Sequence, residues 1–378
     1  MNVMKQTAPK SDAPKGGRLM SLDALRGFDM LFIMGGAGML AALAEWFPCG
    51  VTEAIANQMK HVEWHGLAHH DTIFPLFLFI AGIAFPFSLA KQRERGKSSW
   101  DIHMKVIRRG LLLVLLGMIY NGLLQFNFAE LRCASVLARI GLAWMFGALI
   151  FMHTRWQTRV GITALLLVGY WLVAAFIPAP DADGADIFSA QGSIVGYIDR
   201  ILLPGRLIYG NIDPEGLLST FPAIGTALLG MFTGEWIRND RVSPGRKVLG
   251  MVVAGIVLLV LGLLWNEVFP INKKMWTSSF VLVVGAYSVL IFALFYYLID
   301  VCGWRRWTLF FTVIGMNSIT VYLGQSFISF WGTSDKIFGG LIRLLPENSH
   351  TFFVNLAYII VVWLVLYFLY RKRVFLKV

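Results

Sequence analysis

This sequence predicts an all-α, polytopic membrane protein of about ten transmembrane helices with both termini in the cytoplasm, and three observations predict it. Mean hydropathy is +0.65 and only 15% of the 378 residues are charged, where a soluble domain carries about 25%. Apolar runs repeatedly reach the ~20 residues needed to cross ~30 Å of hydrocarbon. They are continuous rather than alternating, which excludes a β-barrel. Lys and Arg gather on every second loop, as the positive-inside rule requires.

In chain order, residues 1–18 are polar and without an apolar core, so they predict a short disordered cytoplasmic tail and no cleavable signal peptide. Residues 19–378 predict one transmembrane domain. Its spans are expected near 27–46, 72–90, 108–126, 135–153, 160–178, 217–237, 248–266, 277–299, 308–329 and 352–370. The tail, the loops 91–109, 155–159 and 238–247, Arg305–Arg306 and the C-terminal RKRVFLKV hold 23 of the 33 Lys and Arg. This accounts for the net charge of +11 by membrane topology and not by nucleic-acid binding. The opposite loops, 47–71, 127–134, 179–216, 267–276 and 330–351, are then extracytoplasmic. Cys49, Cys133 and Cys302 show no metal or redox spacing. Cys49 and Cys133 share the expected outer face, where a disulfide is chemically permitted.

The densest polar chemistry is HVEWHGLAHHDTIFPLFLFIAG, His61 to Gly82. Four of the seven histidines, His61, His65, His69 and His70, lie there with Glu63 and Asp71. Imidazole exchanges protons near neutral pH. His61, His65 and His69 are four apart, so a helix would align them, as in a zinc site. Gly66 and the absence of an HExxH pattern argue against that, and no metal is expected. Ionisable or amide groups within spans are functional candidates by default. They are Asp29, Arg139 and Asn317, with Asp23 and Arg26 at the inner mouth. Arg139 alternatively snorkels or pairs with an outer carboxylate, and Asn317 alternatively bonds a neighbouring helix. The GGAG run at 35–38 is read as close helix packing in preference to a ligand site.

RLMSLDALRG, the histidine segment, IRRGLLLVLLG, LRCASVLARIGL, GYIDRILL, NIDPEGLLST, PINKKMWTSS, GMNSITVYLG and LYRKRVFLKV occur in this order. Together they resemble the heparan-α-glucosaminide N-acetyltransferase family of transmembrane acetyltransferases. The family's animal members carry a further N-terminal luminal region and one more span, to which none of these motifs corresponds. The resemblance implies transfer of an acetyl group from cytoplasmic acetyl-CoA to a glucosamine-type amino sugar on the far side of a bacterial inner membrane, by a homodimer embedded in the lipid bilayer. The family's active histidine precedes its DxxFP element by ten residues, which matches His61 before Asp71. His65, His69 and His70 have no histidine counterpart in the animal members.

His61, Asp71 and Asn317 are therefore the expected catalytic groups. Imidazole either accepts the amine's proton or carries the acetyl group in two steps, and Asn317 orients it or stabilises an oxyanion. Arg109, Arg26 and Arg139 are the expected acetyl-CoA ligands, since arginine binds phosphate. Asp71, Asp213, Glu215 and Lys273 are expected to hold the sugar. Two other functions share these features: an amino-sugar transporter, which also has polar midplane sites, and an acyltransferase for another surface glycan.

Overall fold

A computed structural model describes residues 19–376; the expected tail at 1–18 lies outside the described residues. Those residues are helical, with no strands beyond two isolated bridges. Among the described residues seven helices are long and apolar enough to cross a membrane: Met20–Trp46, His69–Glu94, Val136–His153, Trp156–Phe176, Pro244–Asn266, Ser278–Val301 and Glu347–Arg371. Their lipid-facing character is plain in Pro244–Asn266, where Leu249, Val253, Val257, Val260 and Leu264 are exposed along one stripe, a pattern that suits hydrocarbon and not water.

The other three expected spans differ for identifiable reasons. The span expected at 108–126 stops at Tyr120, in the helix Ser99–Tyr120, whose first half carries Asp101, Lys105, Arg108 and Arg109. Residues 217–237 form Thr220–Arg238, which is diluted by Gly and Thr. Residues 308–329 are broken at Asn317 into Thr308–Met316 and Ser318–Phe327. Each half is about 15 Å long at 1.5 Å per residue, half the hydrocarbon thickness. The first span is likewise interrupted, by a π-helical turn at Phe32–Gly36.

Helices His69–Glu94, Thr220–Arg238 and Ser278–Tyr296 form the centre of the bundle, with Phe79, Phe280, Phe292 and Trp276 fully buried among them. Met20–Leu31 crosses Thr308–Met316 at Gly27 and Gly315. A Cβ on either would overlap the other helix's backbone carbonyls, at Phe311 and Asp23 respectively. Small residues at such crossings let backbones touch, the main source of helix association in lipid. Gly38 of the GGAG run packs against Asn355, the close approach expected there. Cys49, Cys133 and Cys302 are unpaired thiols.

Candidate active site

Helix His69–Glu94 begins where the polar segment ends, and its first turn creates the site. Asp71 is its third residue. Asp71 Oδ2 accepts the backbone N–H of Ala68 at 3.2 Å and that of Val62 at 3.3 Å, the usual way an acidic residue satisfies a helix N-terminus. The helix dipole favours the anion there. Asp71 Oδ1 is left for side chains. His61 Nδ1 lies 2.7 Å from it and the Lys273 ammonium 3.3 Å. Asp71 is 1% exposed while the His61 side chain is 49% exposed. The carboxylate is thus an internal anchor, and the imidazole faces open space.

This geometry sets the tautomer. Lys273 Nζ is also 3.1 Å from His61 Nδ1, but both are donors when Nδ1–H points at Asp71. Lys273 therefore donates to the carboxylate, and Nε2 carries the free lone pair, without a partner among the described residues. Lys273 is held by its own loop, in which Asn272 Oδ1 accepts the Met275 N–H at 2.9 Å and Thr277 Oγ1 accepts the Asn272 N–H at 3.0 Å. Gly66 N–H donates to Ile271 O at 2.8 Å, joining that loop to the histidine segment. Burial lowers the Lys273 pKa, opposed by Asp71 and Glu215.

The other histidines do not join His61 on a helical face. Residues 61–68 are irregular, and Gly66 has φ +115°, a left-handed value that favours glycine. His65 lies 3.4 Å from Asn272, and burial lowers its pKa. His69 Nε2 meets Tyr287 Oη at 3.2 Å. Only His70 approaches His61, with ring centroids 4.5 Å apart. Among the described residues no three His, Cys, Asp or Glu side chains converge to hold a metal.

His61, Asp71, Lys273 and Glu215 line one cavity of about 520 Å³, which Arg26 and Arg109 line as well. Asp71, Phe74, Phe77, Ala81 and Ala84 line it along one face of their helix, a run of about 20 Å at 1.5 Å per residue. Arg109 belongs to the far end: it stacks over Trp144 at 4.5 Å, and Trp144 donates to Ala81 O at 3.2 Å. Between the two polar ends the wall is apolar, with Met30, Ile33, Leu113 and Ile140.

Three expected site residues do not line this cavity. Asp213 is fully buried and takes a two-pronged bond from Arg132, at 2.7 and 2.5 Å. Burial opposes its charge, but Arg132 outweighs that and holds the carboxyl below its ordinary range. Arg139 donates to Gly216 O at 3.0 Å and Ser219 Oγ at 2.5 Å and lies over Trp276. It braces the 213–219 turn from within and does not face the arginine end of the cavity. Asn317 sits at the helix break, its Nδ2 donating to Val313 O at 3.0 Å and its buried Oδ1 without a partner.

Sequence reasoning missed Arg132, which lines the cavity and pairs with both Asp213 and Glu215. Two carboxylates two residues apart in an apolar protein needed a cation, and that was the available signal. It also missed Asp199, fully buried, which accepts the Leu217 N–H at 2.9 Å and the Asp213 N–H at 3.3 Å. Burial pushes its pKa up to about 6.

A family profile described as a domain of unknown function (DUF5009) matches residues 18–178. The heparan-alpha-glucosaminide N-acetyltransferase of Mus musculus is 26% identical over 431 aligned residues, covering 98% of this chain and 62% of the relative. The Homo sapiens protein of the same name is 26% identical over 422, covering 96% and 60%. The chain spans about three fifths of the length of these curated relatives. Along nearly its whole length, therefore, it is similar to heparan-α-glucosaminide N-acetyltransferases, as its motifs imply.

Proposed function

We propose that the protein is a membrane-embedded acyltransferase that moves an acetyl group from acetyl-CoA to the amine of a glucosamine-type amino sugar. One observation carries this reading: a single cavity joins a carboxylate-anchored imidazole, His61 on Asp71, to the arginines Arg26 and Arg109. Acetyl-CoA fits as co-substrate. Its phosphates suit the arginine end, its flexible arm suits the apolar middle, and its thioester then reaches His61. Arg109 Nε is buried without a partner, so the guanidinium retains an unused donor.

At the other end, Asp71 and Glu215 attract the acceptor's ammonium and hydroxyls. His61 Nε2 removes the amine's proton as it attacks the thioester carbon, and coenzyme A leaves as the thiol. The same lone pair also suits an acyl-imidazole route. Exchange of labelled coenzyme A into acetyl-CoA without sugar marks the two-step route, and its absence marks the direct one. Cytoplasmic termini, about ten spans, an inner-membrane location and a homodimer belong to this proposal, supported by the distribution of Lys and Arg and by the resemblance.

Purified protein supplied with labelled acetyl-CoA and glucosamine tests it. Labelled N-acetylglucosamine is the expected product, and its loss in His61→Ala supports the role of the imidazole. The breaks at Phe32–Gly36 and Asn317 favour a second reading, since transporters build midplane sites on broken helices. Sugar uptake into proteoliposomes without acetylation would support that reading and overturn the first.

A further inference from the structure

Lys273 occupies the place an acceptor amine needs. Its ammonium is 3.3 Å from Asp71 Oδ1 and 3.1 Å from His61 Nδ1, and it lines the same cavity. Neighbouring Lys274 is placed differently: its ammonium donates to Glu63 O at 2.5 Å and lies over Tyr209 at 4.3 Å. Outside this site, lysines such as Lys91 and Lys97 are exposed at the basic loop. We propose that Lys273 is an internal acceptor, acetylated on Nζ by an acyl thioester bound in the cavity when no amino sugar is present. The inference rests on the acyltransferase reading above.

The chemistry is that of the main reaction with the amine supplied by the protein. The ammonium gives up a proton to solvent through the cavity, since His61 Nδ1, the nitrogen it faces, already carries one. The Nζ lone pair attacks the thioester carbonyl, a C–N bond forms, the C–S bond breaks, and coenzyme A leaves as the thiol. No oxidant or reductant is involved. Burial already disfavours the charged form of Lys273, which brings its amine nearer to reactivity. The product is neutral and cannot pair with Asp71, so acetylation fills the acceptor pocket and stops turnover. An amino sugar competes by placing its own ammonium at Asp71, which protects the lysine.

The test is peptide mass spectrometry of the full-length protein in detergent after incubation with acetyl-CoA alone. Lys273 is expected to be acetylated far faster than Lys91, Lys97 or Lys274. Glucosamine at ten times its dissociation constant should slow that labelling about tenfold, as 1 + [L]/Kd requires. Asp71→Asn, which removes the anion that holds the ammonium at the site, should slow it sharply; if that variant fails to fold, the protection measurement on the wild type decides alone. Equal labelling of Lys91 and Lys97, or labelling that glucosamine does not slow, overturns the inference. An unmodified Lys273 in protein that acetylates glucosamine overturns it too and leaves the acyltransferase reading standing. If neither lysine nor sugar is acetylated, both fail together.

Discussion

Asp71 performs two tasks with one carboxylate: Oδ2 caps the helix and Oδ1 orients His61. Asp71→Asn replaces an acceptor facing Nδ1–H with an amide able to present a donor, which turns the free lone pair away from the cavity. Acetyl transfer should fall by about 10²–10⁴, the range expected for losing an oriented general base, with a smaller change in KM; steady-state kinetics would show it. Arg132 offers a stability test. Arg132→Met leaves Asp213 and Glu215 without their cation, which should cost about 3–5 kcal/mol. The folded Asp213 carboxyl lies below its ordinary range, so its contribution is complete above about pH 4 and is lost as pH falls further. The gap in thermal stability between wild type and variant should therefore narrow on acidification below pH 4. The pairing of His61 with Asp71 was legible through the family resemblance, which sets a histidine ten residues before the DxxFP element. Arg132 was not, because its partners lie 81 and 83 residues away and only folding brings them together.

At the scale of elements, hydropathy reads burial from water but not continuity of a helix. The uninterrupted apolar runs at 277–299 and 352–370 correspond to the helices Ser278–Val301 and Glu347–Arg371. The run at 308–329 is long enough to span, yet the helix breaks at Asn317, a change in backbone that hydropathy does not register. The alignment that a helix would give the three histidines does not form, for the local reason Gly66 supplied, a left-handed turn at that residue. The crossing of Met20–Leu31 with Thr308–Met316 depends on Gly27 and Gly315 having no side chain. Gly315→Ala should force these helices apart and destabilise the protein by about 1–3 kcal/mol, the range for overpacking a tight contact. Thermal unfolding in detergent measures it, and a silent substitution would mean the crossing is looser than described.

At the scale of the molecule, the cavity links two polar ends across about 20 Å of apolar wall. The sequence placed the His61 and Arg26–Arg109 groups on opposite faces through the distribution of Lys and Arg, but it did not show that one space connects them. That link depends on which faces of several helices meet. If Arg109 holds a phosphate as proposed, Arg109→Ala should weaken coenzyme A binding by about 10–100-fold, the equivalent of a lost charge-assisted hydrogen bond of about 1.5–3 kcal/mol. Isothermal titration would read this directly. The central claim is that the acetyl group passes along this cavity from one membrane face to the other. The decisive measurement uses proteoliposomes with glucosamine trapped inside and labelled acetyl-CoA only outside. Labelled N-acetylglucosamine forming in the lumen, without entry of coenzyme A, is the predicted result. Product that forms only when donor and acceptor share one compartment would contradict the account.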